Sequence, residues 1–273
     1  MSLRSFIQDR CHSLQSSYEE QLATELAARP PAPAAALAEA DLARLPPPVQ
    51  RYLRRSGAVG KPKPRNVRFS FEARMYRKPG DAPMVATSVQ HNFFAGPARL
   101  FLMKARMFGL PVRVLHAYRG DEATMRVRVA SLVDMVDLSG DELSAGETVT
   151  VLNDMCFFAP ATLIDPRLAW APVDDRTVGV TFTNGRRRVT ATLFFNDRDE
   201  LVNFTSDDRP ALLPDGTLRR CRWSTPVSGY REDAGRWLPT HGDAIYDYPE
   251  GPFTYGTFEL KAIAYDVAGP TTP

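Results

Sequence analysis

The sequence predicts a mainly β (α+β) fold: a large curved antiparallel sheet, a half-barrel, wrapped around one central helix, with further helices at the N-terminus. Three observations predict it. From residue 66 onward the apolar residues recur with a period of two in ten or eleven segments. The segments are separated by short stretches of turn chemistry, such as "KPGDAP", "AGP", "RGDE" and "TNGR". One segment near the middle, "SAGETVTVLNDMCFFAP", has helical rather than strand character and is stopped by Pro160. Strands joined by short turns form an antiparallel sheet, and a sheet of that size curls because strands twist. Its concave side then needs filling, and the lone internal helix is what the sequence provides.

Taken in order, residues 2–28 carry Leu3, Phe6, Ile7, Leu14, Tyr18, Leu22 and Leu26 at helical spacing, a weakly amphipathic helix. "RPPAPAA" (29–35) is a semi-rigid linker, because proline fixes φ and removes donors. A helical piece over 36–44 follows, and then a helix within 45–60, with prolines in its first turn and Gly57 at its end. Residues 1–44 therefore read as a helical extension with its Pro/Ala linker, packed at one end of a single β-rich domain, 45–273. In "NVRFSFEARMYR" Val67, Phe69, Phe71, Ala73 and Met75 alternate with polar residues, a half-buried strand. Strands follow near 84–94, 98–107, 112–119 and 122–136, and after the helix near 177–183, 187–195, 200–206, 218–230, 236–247 and 254–265.

The central helix carries the candidate site. Ser144 and Glu147 have the spacing of a capping box. At about 100° per residue, Val149, Val151, Leu152, Met155, Cys156 and Phe158 share one half of the circumference. Glu147, Thr150, Asn153, Asp154 and Phe157 fill the other half. An aromatic at Phe157 on the polar side means that this side also meets protein or ligand. Asp154, about 60° away on the same projection, is then partly buried, and a buried carboxylate needs a cation or its pKa rises. Arg209, in "NFTSDDRP", is the expected partner. The pair reads either as a structural ion pair or as catalytic, with Asp154 the acid or base and Arg209 orienting an anionic substrate.

Met103 and Arg106, in "RLFLMKARMFGLPVRVL", combine adaptable sulfur with positive charge, as a pocket for an amphipathic ligand would. Asn153, Phe157, Asp208, Trp223, Tyr230, Tyr246 and Tyr255 complete the expected ligand-binding set, the aromatics serving as walls. His116 belongs to the alternating set Val112, Val114, His116, Tyr118 and is expected to face the core.

The composition narrows the function classes. A hydrophobic fraction of 44% and a net charge of +2 are ordinary, and the charges are mixed along the chain. That lends no electrostatic support to nucleic acid or an anionic membrane as partner. Three scattered cysteines (Cys11, Cys156, Cys221) and four scattered histidines form no metal-ligand or disulfide pattern, so free thiols and a reducing compartment are expected, with no metal and no cofactor. No signal-peptide core or membrane-length apolar run occurs, and the expected location is cytoplasmic. The GxSxG, Walker and GxGxxG motifs are missing.

Four segments, "LPPPVQRYLRRSG", "GETVTVLNDMCFFAPATLID", "LFFNDRDELVNFTSDDR" and "RWSTPVSGY…FTYGTFEL", together resemble a bacterial family of hypothetical proteins, a domain of unknown function, over about residues 45–266. The resemblance carries over no catalytic or binding residue. At fold level it is similar to the curved half-barrel of bacterial lipoprotein carriers, though the chain differs from them in having no secretion signal. The expected function is binding of a small apolar or amphipathic molecule between sheet and helix. The alternatives are an acid–base enzyme at Asp154 and Arg209, and an interaction module whose 1–28 helix docks a partner. The oligomeric state is left open.

Overall fold

The computed structural model describes residues 13–30, 35–130, 133–213 and 216–269. The first part of the expected 2–28 helix, with Cys11 and His12, lies outside them. Helix α1 (Leu14–Ala28) begins where the Ser13 hydroxyl accepts a bond from the Ser16 amide at 3.1 Å. The expected helix at 36–44 is only a 3-10 turn, Glu39–Leu42, because Ala36 is extended and bridges Pro62. Helix α2 (Pro47–Arg55) has proline in its first turn, and its Tyr52 hydroxyl donates to the Cys156 carbonyl at 2.6 Å.

The strands are β1 (Asn66–Met75), β2 (Met84–Phe93), β3 (Ala98–Met107), β4 (Leu110–Arg119), β5 (Glu122–Val129) and β6 (Val133–Ser139). After helix α3 (Asp141–Phe158) come β7 (Leu168–Pro172), β8 (Thr177–Asn184), β9 (Arg187–Phe195), β10 (Leu201–Ser206), β11 (Ala211–Leu212) and β12 (Leu218–Arg219). β13 (Arg222–Ser224), β14 (Val227–Ser228), β15 (Arg231–Asp233), β16 (Arg236–Leu238), β17 (His241–Tyr248) and β18 (Gly251–Tyr265) complete the chain. One fourteen-stranded antiparallel sheet runs β6-β5-β4-β3-β2-β1-β18-β17-β13-β10-β9-β8-β7, with β14 also on β17. The expected 122–136 strand is two, split where Ala130 takes φ +53. β7 was not anticipated: "LAWAP" has no clean alternation, and its proline is tolerated because β7 is an edge.

The sheet curls until its β8–β9 tip touches the β4–β5 turn. Asn184 Nδ2 donates to the Tyr118 hydroxyl at 2.7 Å and to the Gly120 carbonyl, and Arg186 reaches Glu122 at 2.9 Å. Among the described residues no strand pairing closes the ring, so β6 and β7 remain edges. α3 fills the concave side and is buried on nearly every face from Ser144 to Phe158. It starts a turn earlier than the spacing predicts, at Asp141. Ser144 is no cap: its hydroxyl accepts from the Ala123 amide at 2.9 Å and donates to the Gly140 carbonyl at 2.8 Å, tying helix to sheet.

The convex side of β2–β4 is apolar as well, through Phe93, Leu100, Leu102 and Leu115. A two-sided apolar patch must be covered, and α1 covers it with Leu14, Tyr18 and Leu22. α1 therefore lies on the outer face of the sheet and not at one end, where it was expected.

Candidate functional site

Between α3 and the concave face lies a cavity of about 1200 Å³. It exists because the helix presents its short polar arc, Gly146, Glu147, Thr150, Asn153 and Asp154, to the wall made by β1–β5 and β17–β18. The inward positions of β1–β5 at their Met75–Met84–Met107 end are methionine, valine and alanine. Six of the eight methionines in the chain line the space: Met75, Met84, Met103, Met107, Met125 and Met135. Unbranched thioethers adapt to irregular apolar shapes.

The floor is a buried ionic cluster. Arg99 Nη1 donates to Glu147 Oε2 at 2.7 Å, its Nε to Asp154 Oδ2 at 3.2 Å, and its Nη2 to Gln90 Oε1 at 2.8 Å. Gln90 Nε2 and Asn92 Nδ2 also donate to Asp154 Oδ2, at 2.6 and 2.8 Å. Every donor to Asp154 thus converges on one oxygen among the described residues, leaving Oδ1 for the cavity that the residue lines. His116 Nδ1 stands 3.4 Å from Glu147 Oε1 without a hydrogen-bond partner among the described residues.

The two carboxyls differ. Burial pushes Glu147 up, but Arg99, His116 and Arg209 together hold it well below the usual carboxylate range. Burial pushes Asp154 up and the charge of Glu147 adds to it; Arg99, Asn92 and Gln90 offset only part. Of the two, Asp154 is thus the carboxyl whose pKa is pushed up, and it lines the cavity.

Arg209 does not pair with Asp154, as the sequence suggested. β3, not the 203–210 strand end, carries the cation that reaches Asp154. Arg209 Nε donates to Thr150 Oγ1 at 3.0 Å, its Nη1 to the Tyr246 hydroxyl, and its Nη2 lies 3.9 Å from Glu147. The guanidinium sits 4.6 Å above the Trp223 ring, and Tyr246 stacks on Tyr255 at 4.9 Å. Burial opposes its charge, but Tyr246, Tyr255, Glu147 and Asp154 outweigh that and raise its pKa further, so it stays charged.

Of the expected site residues, Met103, Asn153, Asp154, Arg209, Trp223, Tyr246 and Tyr255 line the cavity. Asn153 is held there by a 2.6 Å bond from its Nδ2 to Thr225. Four others do not. Phe157 is 1% exposed in the main apolar cluster, two turns past Thr150, and it is Phe158 that reaches the cavity. Arg106 points outward because it is out of phase with Met103 and Met107 on β3. Asp208 accepts from the Thr190 amide and hydroxyl at 2.7 and 2.8 Å. Tyr230 stacks on Trp237 and donates to the Leu201 carbonyl at 2.6 Å, away from the site.

Arg99, Glu147, Gln90, Asn92 and His116 were not foreseen as site residues. The available signal was phase: Arg99 shares the inward set with Phe101 and Met103, and His116 with Val112 and Val114. Polar residues at inward strand positions mark a buried polar site. Among the described residues no group of three or more His, Cys, Asp or Glu is placed to hold a metal, and no helix is long and apolar enough to cross a membrane.

No functionally curated protein matches the chain at a significant level. Solved structures similar to it include a LolA superfamily protein, NE2245, from Nitrosomonas europaea, at 11% identity and TM-score 0.42, covering 82% of this chain and 94% of that one. A putative outer membrane lipoprotein-sorting protein domain from Vibrio parahaemolyticus matches at 8% identity and TM-score 0.42, covering 74% and 85%. A DUF1329 family protein from Desulfovibrio piger matches at 14% identity and TM-score 0.38, covering 81% and 92%. Likenesses this distant say nothing of what this chain binds. A sequence family does match, over residues 35–258, which is most of the chain and all of α3 with its ionic floor: the protein belongs to DUF6544, a family of unknown function.

Proposed function

We propose that the protein binds a small amphipathic molecule, its apolar body along the methionine wall and its polar head on the Arg99–Glu147–Arg209 floor. The observation that carries this reading is the cavity itself: about 1200 Å³, walled by six methionines and floored by one buried ionic cluster. Ordinary small-molecule pockets run to about 300–1,000 Å³, so the space suits a long or branched amphiphile better than a compact polar metabolite. The head group is an acid or a hydrogen-bond acceptor, since the guanidiniums of Arg99 and Arg209 offer positive charge and donors. The proposed compartment remains the cytoplasm, on the free thiols of Cys156 and Cys221; cell fractionation checks it.

Native mass spectrometry on protein purified without added ligand, then stripped and reloaded with palmitate, tests the reading. A retained apolar adduct, or saturable one-to-one palmitate binding, is the expected result. Failure to hold any apolar probe would remove the proposal.

A second reading, an enzyme using Asp154 as general acid or base, is favoured by one specific observation. A carboxyl with raised pKa, Asp154, lines the cavity that His116 also lines. Turnover that survives Asp154→Asn in a matched substrate screen would end that reading.

A further inference from the structure

At the end of the sheet where Met75, Met84 and Met107 lie, the β1–β2 and β3–β4 turns stand side by side at the cavity rim. Arg77, Lys78 and Pro79 of the first turn line the cavity, as does Met107 next to the second. Just outside, Phe108 is 85% exposed and Leu110 52%, and on the β6 edge Val133 is exposed, as is Met135, which also lines the cavity. Phe108 is also held at φ +51, with Gly109 at +81, in a two-residue turn closed by the Met107–Leu110 pair. That turn suits Asn-Gly, and a bulky aromatic at positive φ is a genuine outlier. A ring that is both solvent-exposed and backbone-strained stabilises nothing inside the molecule beyond a cation–π contact with Arg77 at 5.7 Å.

The charge around this tip is one-sided. Residues 74–85 and 104–112 carry Arg74, Arg77, Lys78, Lys104 and Arg106 against the single carboxylate of Asp81, itself 3.6 Å from Arg77. On the neighbouring edge Asp134 is paired with Arg128. The whole chain has a net charge of only +2, so folding has gathered at one end a positive field that the linear sequence disperses.

We propose that this tip docks on a bilayer rich in anionic phospholipid, with Phe108 and Leu110 entering the interface and the surrounding Lys and Arg meeting the head groups. An apolar point in a cationic collar matches that surface in both chemistry and charge. The cavity opens on the same rim, so a docked protein would exchange an amphiphile with the leaflet without passing it through water. Docking itself does not depend on the ligand reading above; only its purpose does.

Vesicle co-sedimentation tests it, using phosphatidylcholine with and without phosphatidylglycerol at about 0.1 M salt, where charges beyond about 10 Å are screened. The wild-type protein is expected to partition about tenfold more strongly onto the anionic vesicles, and to release as salt rises. Phe108→Asn/Leu110→Asn should lose about tenfold of that binding. Its melting temperature should not fall, because asparagine suits positive φ, and ligand retention by native mass spectrometry should stay at the wild-type level. Lys78→Glu/Arg106→Glu should abolish the anionic preference. Equal binding to both vesicles, or unchanged binding by the Asn variant, overturns the proposal. So does a wild-type dimer that the Asn variant dissociates, which would give the tip to a second copy of the chain. Failed palmitate binding with intact vesicle binding removes only the ligand reading.

Discussion

Glu147 and Asp154 stand two turns apart on one face of α3 and share a single guanidinium, that of Arg99, at 2.7 and 3.2 Å. One cation thus spans two carboxyls in a buried setting, where a charge without its partner is costly. Arg99→Met is expected to destabilise the fold by about 3–5 kcal/mol, measured by urea unfolding at pH 7. The triple variant Arg99→Met/Glu147→Gln/Asp154→Asn should recover only part of the loss, because Arg209 then keeps a buried charge without Glu147. A cost below about 1 kcal/mol for Arg99→Met, the level of an exposed pair, would show that water reaches the cluster.

The same two residues should give opposite pH dependences. Glu147 is depressed in the folded protein, so between its folded pKa and its ordinary value of 4.5 the unfolded chain binds more protons. Its contribution is full above 4.5 and is lost as pH falls through the folded pKa. Asp154 is raised, so above its ordinary 3.8 the folded protein binds more protons, and stability is lost as pH rises through the folded pKa. Glu147→Gln should therefore cost more at pH 7 than in strong acid, whereas Asp154→Asn should become relatively more favourable as pH rises. Urea titrations of both variants across pH 3–8 check the two slopes; parallel slopes would contradict the opposite shifts of the two carboxyls.

How much of this was legible beforehand follows from what each signal encodes. Alternation in "NVRFSFEARMYR" and the turn residues between segments report backbone period, which is local, and they predicted the curled sheet around α3. The partner of Asp154 is a tertiary fact. Arg99 is 55 residues away from it, and only the β2–β3 register, with His91 opposite Leu100, brings Gln90, Asn92 and Arg99 to the same inward face. Arg209 has the right charge and lies in the right cavity, but Thr150 and Tyr246 hold it on the other side of Glu147. Phe157 misled for a related reason: the helical projection gives angle but not depth, and Phe157 lies a turn beyond Asn153 and Asp154, in the main apolar cluster.

α1 is expected to be dispensable for the cavity but not for solubility. Its Tyr18 hydroxyl meets His91 Nδ1 at 2.6 Å on the convex face, and burial, with the nearby Arg68 charge, lowers the His91 pKa to about 4. The helix also lies outside the 35–258 family match. Removal of residues 1–30 should expose Leu100, Leu102 and Leu115, increase binding of an apolar dye and promote aggregation, while palmitate binding persists. Leu22→Ala, a milder change, should cost about 2–5 kcal/mol. Loss of palmitate binding by a truncated but folded protein would mean that α1 shapes the cavity through the sheet.

Filling the cavity should separate ligand binding from stability. Met125 lies on the wall and is only partly buried, so its side chain has open space before it. Met125→Trp adds volume into that space without removing a hydrogen bond or a charge. Residual void costs about 24 cal/mol per Å³, so filling it should leave stability unchanged or slightly raised by urea unfolding. Palmitate affinity should fall at least about tenfold, or 1.4 kcal/mol, because the bulky ring occupies the path of the apolar chain. Asp154→Asn, at the floor, should instead leave affinity for an uncharged long-chain alcohol nearly intact and weaken the acid alone. If Met125→Trp bound palmitate as tightly as the wild type, the ligand would have to lie outside this cavity, and the methionine wall would be core packing and nothing more.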